Sequence, residues 1–136
     1  MLRDNEKILL DIFSGLDHEY PNLLIIVEGK RDKKVLRNLG VHSNIIKTQI
    51  GKQRNALIEK IIHKVGKDGK VLILTDFDNE GIELQKFIQQ ELEIHKIKIM
   101  RRLRKQIRKA MSNWRCIEEM VALFKRKDSP EPADFS

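Results

Sequence analysis

Asp76 and Asp78 stand two residues apart in the stretch VLILTDFDNEG, between the apolar run 71–74 and Gly81. In an extended segment, residues two apart point the same way and lie about 6.6 Å apart at roughly 3.3 Å per residue. Two carboxylates aimed at one point repel unless a cation sits between them. A hard divalent ion such as Mg2+ takes oxygen ligands, often only one or two carboxylates completed by water and phosphate. The plainer reading of the same residues is a solvated turn in which Asp caps the following helix. A further carboxylate, Glu28, closes a second apolar run, 23–27, and is followed by Gly29 and Lys30.

The elements around these acids follow from periodicity. Runs 23–27 and 71–74 are continuous, apolar and short, the pattern of strands buried on both faces of a parallel sheet. Ile8, Leu9, Ile12, Phe13 and Leu16 give an amphipathic helix over 4–16, closed by Gly15 and Pro21. Val35, Leu36 and Leu39 mark a helix over 31–39 that stops at Gly40. A short strand is expected over 45–48, and a helix through Ala56, Ile61 and Val65 that ends at 66–69. After Gly81 the period turns helical to about residue 92. Ile94, Ile97 and Ile99 suggest a fourth strand, with Ile94 out of register. Leu103, Ile107, Ala110 and Met111 give a helix ringed by bases, interrupted by Ser112 and Asn113, before a last short helix over 117–124. Alternation of strand and helix predicts an α/β domain with a parallel sheet of about four strands, helices on both faces, an extra N-terminal helix and basic C-terminal helices.

In a parallel sheet all strands end at one edge. Glu28 therefore meets Asp76 and Asp78, with Lys30, Lys52 and Arg54 on loops at the same edge. Acids to hold a metal beside bases to hold phosphate is the composition of phosphodiester chemistry.

The 136 residues carry a net charge of +7, with a pI near 9.6. From 95 to 127 twelve Lys and Arg face two acids, so this stretch is +10 and the remainder −3. Arg101, Arg102, Arg104, Lys105, Arg108 and Lys109 on the basic helix are the main candidates for phosphate contact, against the plainer reading of a solvated charged face. The single cysteine, Cys116, excludes an internal disulfide and cysteine-rich zinc sites, and reads as a small buried hydrophobe. His18, His42, His63 and His95 share no ligand spacing. There is no apolar run of about 18 residues to span a membrane. The N-terminal MLRDNEKILL has acid where a signal peptide is apolar, so a cytoplasmic protein is expected. One domain is expected over 1–125, with a disordered tail over 126–136.

VEGKRD, followed some fifty residues later by LTDFDNEG, resembles the toprim domain over about residues 22–100. The first motif is most similar to that of the ribonuclease that matures 5S ribosomal RNA and of small stand-alone toprim proteins. The resemblance implies Glu28 as general acid/base, counted also with Asp76 and Asp78 as a ligand of Mg2+ (or Mn2+), and Gly29 and Gly81 as points of close backbone approach. Ile82 stands where topoisomerases carry a further Glu, and Glu80 is the nearest substitute. Toprim nucleases often carry an acid on the last helix, where this chain has Glu118; Asp32 reads as a first-turn helix charge. The lone Tyr20 has no topoisomerase gate around it, and a primase's zinc domain is missing. The expectation is a Mg2+-dependent nuclease acting on nucleic acid, with structured RNA preferred over DNA by the resemblance alone. A non-catalytic nucleic-acid-binding module and a primase-like nucleotidyl transferase are the alternatives.

Overall fold

The computed structural model describes residues 2–49 and 53–123. Lys52 and the tail expected over 126–136 lie outside the described residues. Strand β1 (Leu23–Val27) is buried along its whole length, which is why its sequence runs apolar without alternation. It is central: β2 (Asn44–Lys47) pairs with it on one side and β3 (Lys70–Ile73) on the other, and β4 (Lys98–Ile99) lies beyond β3. All pairings are parallel, as expected.

Alternate residues of the strands feed two cores. Leu23, Ile25, Val27, Leu72 and Leu74 pack with α1 (Asp4–Glu19), α2 (Lys30–Asn38) and α5 (Arg101–Met111). Leu24, Ile26, Val71 and Ile73 pack with α3 (Arg54–Val65) and α4 (Asn79–Ile94). A 3-10 turn, Ile117–Met120, closes the first face against α2.

Two boundaries differ from the periodicity. Helix α1 runs through Gly15 to Glu19. Its last turn has a tertiary partner: Asp17 accepts from the His42 and Ser43 amides and the Ser43 hydroxyl, at 2.7, 3.0 and 2.6 Å. Ile94 ends α4 rather than starting β4, and is 71% exposed, which accounts for its poor register with Ile97 and Ile99.

The chain enters the sheet at β1, steps to one side for β2, then crosses to the other for β3. Strand order therefore reverses between β1 and β3. In open α/β sheets the crevice outside the carboxyl ends at such a reversal is where ligands bind. Glu28 follows β1 there, and the 74–78 turn follows β3.

Candidate metal and nucleic-acid site

The turn after β3 is fixed from three directions. Glu28 Oε2 accepts the Asp76 N–H at 2.7 Å, Thr75 Oγ1 donates to the Gly81 carbonyl at 2.8 Å, and the Phe77 N–H donates to the Arg115 carbonyl at 2.6 Å. Gly81 is required by space, since a Cβ there would lie 2.0 Å from the Asp76 carbonyl oxygen. Gly29 is less constrained: its backbone is extended, and the one tight contact of a Cβ would be with the end of the Gln49 side chain, at 2.9 Å.

Asp76 and Glu28 thus stand together over the crevice, as expected. Burial pushes the Asp76 carboxyl up to about 7, helped by the charges of Glu28, Asp32, Asp78 and Glu118. Burial also raises Glu28; the Asp76 amide opposes this, and Asp78, Asp32 and Glu80 add to it. Asp78 belongs to the same field but is placed differently from an extended-strand neighbour. β3 ends at Ile73, and Asp78 is the N-cap of α4, its Oδ1 accepting the Gly81 N–H at 2.8 Å. The plainer reading of Asp78 is thus realised, with its second oxygen left for other partners.

Two further acids complete the cleft: Glu118, the acid expected on the last helix, and Asp32, expected as a first-turn helix charge. Asp32 is 6% exposed and joins two helix starts: its carboxylate accepts the Gly29 N–H at 3.0 Å and the Glu118 N–H at 2.9 Å. Glu118 pairs with Arg31 at 3.2 Å. Together with Glu28, Asp76 and Lys30 they line a cleft of about 260 Å3. Cys116 lines it too, half-buried rather than a core residue, its thiol pushed up to about 12 mainly by burial. A thiol held that high stays protonated and is no nucleophile.

The donor set suits a hard cation. Glu28 Oε1, Asp76 and one Asp78 oxygen are carboxylate donors whose mutual repulsion a divalent ion would relieve. Among the described residues no three His, Cys, Asp or Glu groups gather as a ready metal cage. The fit is thus to an ion held by a carboxylate pair and completed by phosphate and water, as Mg2+ often is.

The expected basic residues divide into two kinds. Arg102, Lys105 and Lys109 are exposed on α5 and make no hydrogen bond or ion pair among the described residues. Lys30 is exposed beside the acids, and Arg54 lies over the Phe87 ring at 5.1 Å. Arg101 is paired with Glu93. Arg108 donates to the Ser112 carbonyl and stands 5.4 Å over the Phe77 ring. Arg104 is turned inward: it donates to the Ile73 and Thr75 carbonyls at 2.6 and 3.4 Å and lies 4.4 Å over Phe77. Burial, then Arg108, lowers it to about 10, so it stays charged at neutral pH. Its task is to close the β3 edge that the two-residue β4 leaves open, a contact that helical periodicity cannot reveal.

This fold and this acid-bearing switch point define a small α/β domain of the metal-associated, nucleic-acid-related class, and the Toprim domain family matches residues 23–111. The chain belongs to the Toprim domain family. The match runs past the expected 22–100 to the end of α5. A UPF0292 protein of Thermococcus sibiricus is 36% identical over 128 residues, covering 93% of this chain and 95% of its own. Another, from Methanocaldococcus jannaschii, is 36% identical over 102 residues, 73% of this chain and 75% of its own. A solved Aquifex aeolicus protein superposes with a TM-score of 0.66 at 26% identity, over 86% of this chain and 99% of its own. Among the described residues no helix is long and apolar enough to cross a membrane.

Proposed function

We propose that the protein is a Mg2+-dependent phosphodiesterase that cuts nucleic acid, with structured RNA as the preferred substrate. The observation that carries this is the Glu28–Asp76 pair at the switch point: the Glu28 carboxylate holds the Asp76 backbone N–H, and both carboxyls are raised. Glu28 and Asp76 would hold the ion directly, with Asp78 reaching it through water, and the ion supplies Lewis acidity to the phosphoryl oxygens when bound. Among the described residues Glu28 Oε1 has no protein partner while Oε2 is held by the Asp76 amide, so one oxygen is oriented and the other can move a proton. A carboxyl raised above its ordinary range suits general acid/base work near neutral pH. Lys30 at the cleft, Arg54 at the start of α3, and Arg102, Lys105 and Lys109 on α5 would hold the phosphate backbone, joined by Lys52, which lies outside the described residues. The preference for RNA rests on the resemblance of VEGKRD to the ribosomal RNA maturation ribonuclease.

One observation favours a second reading. Among the described residues no three-ligand metal cage is formed, which is what a binding module without catalysis would also have. Incubating labelled structured RNA and single- and double-stranded DNA with Mg2+ or chelator separates the two. The nuclease cuts only with Mg2+, and the Glu28→Gln, Asp76→Asn double variant loses at least about 100-fold in rate. Retention of nucleic acid by every sample, with no cleavage in any, would replace the nuclease with the binding module.

A further inference from the structure

A groove of about 520 Å3 lies between α4 and α5, lined by Phe77 of the turn whose Asp76 lines the acid cleft. This is within the range of about 300–1,000 Å3 typical of small-molecule sites. Its floor is apolar, made by Phe77, Ile82, Ile99 and Met100. Its α5 rim carries Arg101, Lys105, Arg108 and Lys109, and no acidic residue lines it among the described residues. Its α4 rim carries Gln85 and Gln89, both half-buried and bonded to each other at 2.8 Å. That bond uses one amide donor and one acceptor. Whichever way the amides are turned, one donor and one acceptor remain without a protein partner among the described residues.

Each feature answers a different part of one ligand. An apolar floor takes a planar ring, and an adjacent donor and acceptor match a base edge. An exposed guanidinium such as Arg108 is a surface on which bases stack, and Lys105 and Lys109, unpaired among the described residues, take the flanking phosphates. A phosphate-only surface would not need the apolar floor. We propose that this groove holds one unpaired nucleotide of the bound strand, its base on Arg108 and against Gln85 and Gln89. Phe77 lines the groove while its neighbours Asp76 and Asp78 belong to the acid site, so the captured nucleotide would lie next to the phosphate presented to Glu28 and Asp76. This rests on the nucleic-acid reading above but not on cleavage.

The test is equilibrium binding of the full chain in chelator to an RNA hairpin with a small bulge, against the same hairpin fully paired. The bulge carries the fluorescent base 2-aminopurine. The bulged RNA should bind about tenfold tighter, with a change in base fluorescence on binding. Gln85→Leu with Gln89→Leu, and separately Arg108→Ala, should erase that preference and the fluorescence change while the paired hairpin still binds. Arg102→Ala should weaken both RNAs alike. Thermal melting identifies any variant that fails to fold, and the two groove variants act independently. Equal binding of both RNAs by the native protein, or a preference that survives both groove variants, would overturn the inference and leave the groove to an acidic, apolar partner. Failure to bind either RNA would overturn the nucleic-acid reading as well. Absence of Mg2+-dependent cleavage alone would overturn only the nuclease.

Discussion

At the scale of single residues, Asp76 concentrates the electrostatic strain of the site. Its carboxyl rises from 3.8 to about 7, first through burial and then through Glu28 and the other acids. A raised carboxyl favours the protonated form in the folded state. The stability linked to that proton is fully present below the unfolded value of 3.8 and is lost as pH rises through about 7. Asp76→Asn mimics the protonated form. In chelator it should raise the melting stability above pH 7 by on the order of 1 kcal/mol, after a discount for solvent screening of a half-buried group, and give no gain near pH 4. Destabilisation by Asp76→Asn at high pH would contradict the assigned field. The positions of both acids were legible in the sequence, because each follows an apolar run that forms a buried strand. Asp32 was not: its partner is the Glu118 amide 86 residues away, and nothing local distinguishes it from an ordinary first-turn helix charge.

At the scale of elements, the 74–78 turn and the start of α4 form one unit. Gly81→Ala should cost about 1–3 kcal/mol, because its Cβ would meet the Asp76 backbone rather than a movable side chain. Asp78→Ala should cost about 0.5–2 kcal/mol through the lost cap, a cost that a metal role alone would not impose on the metal-free protein. Chemical denaturation in chelator measures both. Arg104→Ala should likewise destabilise by about 1–3 kcal/mol, since the Ile73 and Thr75 carbonyls lose their donor. An Arg104→Ala protein of native stability would contradict its place at the β3 edge. The strands were legible because burial on both faces leaves a plain apolar signature. The capping role of Asp78 was legible only as an alternative, since two acids at alternate positions read the same whether they cap or coordinate.

At the scale of the whole molecule, the charge imbalance sets the physics of binding. The stretch 95–127 has twelve bases against two acids, while the remainder of the chain is mildly acidic. Phosphate contacts release counterions, so binding should fall steeply with salt, the slope growing by about 0.7–0.9 per contact. Removing Arg102, Lys105 and Lys109 together should flatten that slope by about two to three without lowering the melting temperature, since none of them has a protein partner among the described residues. Binding isotherms at several salt concentrations measure it, and an unchanged slope would move the contact surface off α5. The sequence located the basic helix but could not separate the bases that face solvent from Arg104, whose orientation is set by Phe77 and the sheet edge.

The central claim is that Glu28 and Asp76 form a seat for a divalent cation, in competition with a proton. Titration calorimetry with Mg2+ in buffers of different ionisation enthalpy tests it directly, because ligands must deprotonate to bind and the proton count is read from the buffer dependence. Binding should release close to one proton at about pH 6, close to none at about pH 8.5, and tighten as pH rises through 7. The Glu28→Gln, Asp76→Asn protein should show no binding. Mg2+ binding of equal strength in that variant, or binding of the native protein with no proton release at about pH 6, would contradict the account.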